Sequence, residues 1–161
     1  MTVRRTIRIK AFQALFQLTQ NPRLSHEEAI THAIQYSLED SEGEVENLAA
    51  LKIILPGENI TEQIATDALD YLRDLVSGVS EHRKYIDEQI EERLKDWSIQ
   101  RLDLVNLLIL RIATYELYFH EEINPSIVMN EAIEITKSFN NDKASKFVNG
   151  VLQGILDTKE A

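Results

Sequence analysis

The residues in this chain best suited to chemistry are its arginines, and they are unevenly placed. Arg4, Arg5, Arg8, Lys10 and Arg23 stand in the first 23 residues, and the first carboxylate is Glu27. Residues 24–70 then hold eleven carboxylates against one lysine, Lys52, and the whole 161-residue chain carries a net charge of −10. An acidic body opposes polyanion binding in general, so any such binding has to be local and aimed. A guanidinium offers a fork of donors to phosphate oxygens and a plane that stacks on bases or rings. A nucleic-acid backbone is the simplest target for this cluster. The plainer reading is a solvated helix face whose arginines pair with acids elsewhere. On charge pattern alone the two readings stand level.

The neighbours of the cluster favour one kind of nucleic acid. On a helix, Arg4, Arg5 and Arg8 form a stripe bordering the apolar face, with Phe12 one turn after Arg8. An aromatic beside arginine can stack an unpaired base, which suits single-stranded RNA. Core packing is the alternative for Phe12 and the stronger reading for Phe16. Lys143 and Lys146 stand at the start of the last predicted helix. Cations there oppose the helix dipole and invite an anion or a nearby acid.

Other chemistry finds no support. The chain has no cysteine, which excludes a disulfide framework, a thiolate nucleophile and a Cys-based zinc site. It contains no phosphate-binding glycine loop and no hydrolase or metalloprotease signature. His26, His32, His82 and His120 include no i, i+4 pair and sit among polar residues, as solvated histidines do. No catalytic residue, cofactor or metal is expected. The most apolar stretch, 102–119, contains Asp103, Arg111 and Glu116, so it reads as a buried helix and not a membrane span.

The elements that would carry these residues are all helical. Apolar spacing predicts a helix over about 4–19, ended by Asn21-Pro22, and a second opened by the capping-box pattern Ser25-His26-Glu27-Glu28. Residues 39–60 are acidic and irregular, and about 40–57 reads as removable without loss of fold, although 45–55 could form a short helix. Further helices are predicted over about 61–78, 80–97 with Trp97 inward, from a Ser98 cap through the apolar stretch, 126–139 after Asn124-Pro125, and about 142–157. Gly150 and Gly154 inside the last helix predict close approach of another backbone.

Taken in order, these residues resemble the NusB family of bacterial transcription antitermination factors. The resemblance rests on Arg4, Arg5, Arg8, Ala11 and Gln13 to Phe16. It extends through Arg101-Leu102, Ile109 to Leu117, Asn130 to Ile135, Lys137 to Phe139 and Lys146 to Leu152. It implies an all-α fold of about seven helices in two small subdomains, three plus four, here 1–79 and 80–161. It implies binding of boxA-type RNA together with NusE, a small-subunit ribosomal protein, within the RNA polymerase antitermination complex on ribosomal RNA operons, in the cytoplasm. The family's RNA face includes the arginine-rich start of helix one, giving Arg4, Arg5, Arg8, Lys10, Phe12 and Phe16 as candidates. The turn before Phe147 lies on the same side by position, adding Lys143 and Lys146. The chain departs from the family at Asn106, often Asp, and at Phe16, often Tyr.

Two other readings remain. A NusB-like domain also begins certain ribosomal RNA cytosine methyltransferases, which require a catalytic cysteine and a methyl-donor domain not found in this sequence. A protein-only scaffold would use the arginines against an acidic protein surface.

Overall fold

The structure, a computed structural model, describes residues 1–38, 45–95 and 98–160. The described residues form eight α-helices and one 3-10 turn, and no strand. They divide into two compact units, residues 1–77 and 78–161. None of the described helices is long and apolar enough to cross a membrane.

In the first unit, α1 (Val3–Gln20) starts at Thr2, whose hydroxyl accepts from the Arg5 backbone N–H at 3.1 Å. It buries Ile7, Ala11, Ala14 and Leu15. Helix α2 (His26–Tyr36) begins with the predicted capping box: Ser25 Oγ accepts from Glu28 N, and Glu28 Oε1 accepts from Ser25 N, both at 3.0 Å. Two of the four orphan donors of a helix start are satisfied in this way.

The acidic segment behaves differently from its composition. Residues 39–44 fall outside the described residues, but Asn47–Ile54 forms α3, the helix that takes the count from seven to eight. Ala50 and Leu51 are fully buried and Leu55 nearly so. Asn47 Nδ2 donates to Thr31 Oγ1 at 2.9 Å, and Gln35 Nε2 donates to the Val45 carbonyl at 2.6 Å, which fastens α3 to α2. Ala50, Leu51 and Leu55 therefore belong to the core, against the expectation that about 40–57 could be deleted without loss of fold. Gly57, with φ at +110°, supplies the left-handed turn that follows.

Helix α4 (Glu62–Glu81) is longer than predicted, running on through Gly78. Arg73 forks onto Glu27 of α2, with Nη2 to Oε1 at 2.6 Å and Nε to Oε2 at 3.1 Å. The hydrogen bond from Arg73 holds the Glu27 carboxyl below the usual carboxylate range.

In the second unit, α5 (Arg83–Glu91) is shorter than predicted, and the expected inward position of Trp97 lies outside the described residues. A 3-10 turn, Ile99–Arg101, follows Ser98, whose side chain makes no cap bond. The cap of α6 (Leu104–Phe119) is Asp103 instead, accepting from Val105 N at 2.8 Å. Helix α6 is buried on almost every side from Asn106 to Leu117, as its composition requires. Asn124 and Pro125 start α7 (Pro125–Phe139), and Asn141 caps α8 (Asp142–Glu160).

The glycines correct one expectation. A Cβ on Gly150 would meet nothing within 4 Å, and one on Gly154 would meet only the Arg93 side chain, from 3.1 Å. Among the described residues, no backbone of another element lies within 4 Å of either Cβ position. The glycine that packing demands is Gly78, where a Cβ would fall 2.1 Å from Tyr115 Cζ.

These placements fix three stability outcomes for equilibrium unfolding. Leu51→Ala should cost about 2–5 kcal/mol, because it opens a cavity beneath α3. Gly78→Ala should cost about 1–3 kcal/mol by overpacking against the buried Tyr115 ring. Gly150→Ala should stabilise by about 1 kcal/mol, since helix propensity then acts unopposed. A neutral Leu51→Ala would return α3 to the surface.

Candidate nucleic-acid interface

Helix α1 carries its cations in three different environments. At 3.6 residues per turn, Arg4, Arg8, Ala11 and Leu15 fall in one stripe, so Arg8 continues the apolar face and does not border it. Accordingly Arg8 is 3 % exposed. Arg4, one turn earlier, projects past the core and is exposed. Its guanidinium carbon stands over the Tyr71 ring of α4, 5.6 Å from the centroid. Arg5 is half-buried on the next stripe, with Phe12 and Phe16 within about 20° of it round the helix.

The two phenylalanines differ in the opposite sense to that expected. Phe12 is the core residue, 5 % exposed, whereas Phe16 is half-buried. Their rings stand 6.5 Å apart and tilted by 54°. A base reaching this flank would meet Phe16 before Phe12.

Lys10 lies about 140° round the helix from Arg5, on the flank facing α2. It is 4 % exposed, and its ammonium donates to Gln13 Oε1 at 2.8 Å and to Ser37 Oγ. Ser37 is the C-cap residue of α2, where a cation meets the negative end of the helix dipole. Both acceptors are neutral, and burial lowers the Lys10 pKa to about 8. One donor goes to Gln13 on α1 itself and one to Ser37 at the end of α2, so two of its three donors are engaged within the first unit. Among the α1 cations, Arg4 is exposed and Arg5 half-buried, so these two keep contact with solvent, as does the exposed Arg23 beyond the helix.

In the second unit, Lys143 and Lys146 are both exposed in the first turns of α8. Asp142 occupies the same first turn, and the Asn141 side chain accepts from Ala144 N at 2.8 Å. Lys146 also borders a shallow depression of about 230 Å³ lined by Ile133, Lys137, Asp142, Ser145 and Asn149. Lys137 and Asn149 were not singled out from the sequence. Their spacing is ordinary for exposed helix faces, and only the pairing of α7 with α8 brings them together. Tyr71 was also missed, being far from Arg4 in the chain with no local pattern to join them.

Comparison with known proteins gives these features a context. The NusB family model matches residues 5–157. The chain is 38 % identical over 139 residues to the transcription antitermination protein NusB of Clostridium botulinum (strain Hall), covering 82 % of this chain and 96 % of that protein. It is 36 % identical over 156 residues to the transcription antitermination protein NusB of Bacillus thuringiensis (strain Al Hakam), covering 96 % and 98 %. Its structure also aligns with a chain in the crystal structure of antitermination factors NusB and NusE in complex with dsRNA. There the TM-score is 0.72, the sequence identity 26 %, and 97 % of each chain is covered.

The Lys10 environment has a measurable consequence. Between about pH 8 and 10.5 the unfolded chain holds a proton on Lys10 that the folded chain has begun to release. Stability rises with pH wherever the unfolded state binds more protons. The unfolding free energy of the parent minus that of Lys10→Met should therefore increase across this window, measured by urea titration at successive pH values. A flat difference would mean that Lys10 is solvated as an ordinary surface lysine.

Proposed function

The chain belongs to the NusB family, and we propose that it acts as a transcription antitermination factor, binding boxA-type RNA together with NusE. The observation that carries this reading is the match along almost the whole of both chains to a structure holding NusB, NusE and RNA. The work is positioning and not chemistry. The protein and NusE would share one RNA and present it to RNA polymerase on ribosomal RNA operons in the cytoplasm. In this reading 1–79 forms the subdomain with the RNA-binding start and 80–161 the second subdomain.

The geometry supports a division of labour among the candidate residues. Arg4 and Arg5 meet phosphate, because they retain access to solvent. Arg8 and Lys10 add positive potential from within the protein, where salt screens them less, without releasing counterions of their own. Phe16 offers the accessible aromatic edge, and Phe12 supports it from the core. Lys143 and Lys146 supply a second set of solvated cations. Sequence preference comes from base contacts, since phosphate contacts position the strand without reading it.

An acidic protein also suits a basic ribosomal partner, because opposite potentials speed and orient encounter. When both proteins touch one RNA, each raises the effective concentration of the other.

Titration of boxA-type RNA over a salt series tests the assignment. Arg4→Ala and Arg5→Ala should each weaken binding and flatten the slope of log K against log salt by about 0.7, the single-strand value for one phosphate contact. Arg8→Ala should lower thermal stability and leave the slope nearly unchanged. Saturating NusE should tighten RNA binding of the parent by at least about 10-fold, with the RNA tightening NusE binding equally. Equal RNA affinity with and without NusE would remove the cooperative mechanism, and parental binding by the Arg4/Arg5 double variant would remove the α1 site.

A further inference from the structure

We infer that Tyr71 is a positioning residue for RNA binding, acting by holding the Arg4 guanidinium over its ring. The inference rests on the RNA-binding reading above and names a residue that the α1 cluster does not contain.

Arg4 stands on the first turn of α1, exposed, beyond the point where the core stripe of Arg8, Ala11 and Leu15 begins. A long charged side chain in that position ordinarily samples many rotamers, and ordering it opposes any contact it makes. Here its guanidinium carbon sits 5.6 Å from the centroid of a half-buried ring. The face of a tyrosine is negative, so the cation is attracted to it. Tyr71 is half-buried on α4, which is anchored beside it by the fully buried Leu72, Leu75 and Val76. The backbone that carries the ring is held by the core, and the ring offers the cation a place to rest.

The arrangement leaves the cation well suited to an anionic strand. One side of the guanidinium faces the ring. Arg4 as a whole stays exposed, and a guanidinium has both a plane and N–H donors with which to meet an unpaired base and a phosphate. The order imposed by Tyr71 is present before RNA arrives, so less freedom is lost on binding. Tyr71 would strengthen the contact without making one, and a tyrosine lacking its hydroxyl would serve equally.

A double-mutant cycle with boxA-type RNA tests this on the full chain. Tyr71→Leu should weaken binding by about 2- to 5-fold, the range expected from an exposed cation–π contact. In an Arg4→Ala background it should cause no further loss. Tyr71→Phe should bind as the parent does. The salt slope should be preserved in Tyr71→Leu, because the Arg4 charge is still present, and should fall in Arg4→Ala.

Equal loss from Tyr71→Leu in both backgrounds would overturn the inference, since the ring would then act through stability or its own RNA contact. No loss in either background would overturn it too. If Arg4→Ala weakens binding while Tyr71→Leu does not, the inference fails and the RNA site stands. If the parent itself does not bind the RNA, both fall together.

Discussion

Helix α1 must serve the core and the surface with the same 18 residues. Its apolar stripe docks it into the first unit, and its cations are the only dense positive charge in the first half of an acidic sequence. At 3.6 residues per turn, positions 4, 5, 8 and 10 spread over about 220° of the helix, so they cannot all be kept off the buried side. Arg8 and Lys10 lie inside the protein because their phase puts them there. Each therefore needs compensation from within, which Lys10 finds in Gln13 and in the end of α2. The position of α2, and through it of α3, is tied to the charge pattern of α1.

That coupling explains the weight of the acidic segment. Its carboxylates and turn residues give 39–60 the composition of a loop, and composition alone argued for removing it. Yet Ala50, Leu51 and Leu55 recur at helical spacing and close the core over α2. The apolar residues were visible, but flanking acids and Pro56-Gly57 lowered the average over the window. Burial depends on the few residues that face inward and not on that average.

Other parts of the fold were legible where the signal was local. Asn21-Pro22, the Ser25 capping box and Asn124-Pro125 each satisfy or stop a helix with neighbouring atoms, so sequence suffices. The choice of Asp103 over Ser98 as the α6 cap was not legible, because both residues can cap and only the intervening 3-10 turn decides. Gly150 and Gly154 misled for a related reason. Mid-helix glycine signals close packing only if something arrives, and the nearest thing to arrive is the Arg93 side chain. At the candidate site the residue types were legible and their accessibility was not. The stripe of Arg4 and Arg8 continues straight into Ala11 and Leu15, so the apolar phase of α1 was sufficient to bury Arg8.

Accessibility changes what a count of cations means. The salt dependence of binding reports counterions displaced from phosphates by cations that reach them, not the positive charge of the segment. Five basic residues in the first 23 would suggest as many phosphate contacts. With Arg8 and Lys10 enclosed, the first unit offers fewer cations to solvent, so the proposed contact would displace fewer counterions than that count suggests. A protein with modest affinity and an acidic remainder gains specificity by sharing its ligand. Weak contacts to nonspecific RNA are then lost at physiological salt, while a strand also held by a partner is retained through effective concentration. On the proposed function, the burial of two cations would limit indiscriminate polyanion binding and would make the productive complex depend on a second protein.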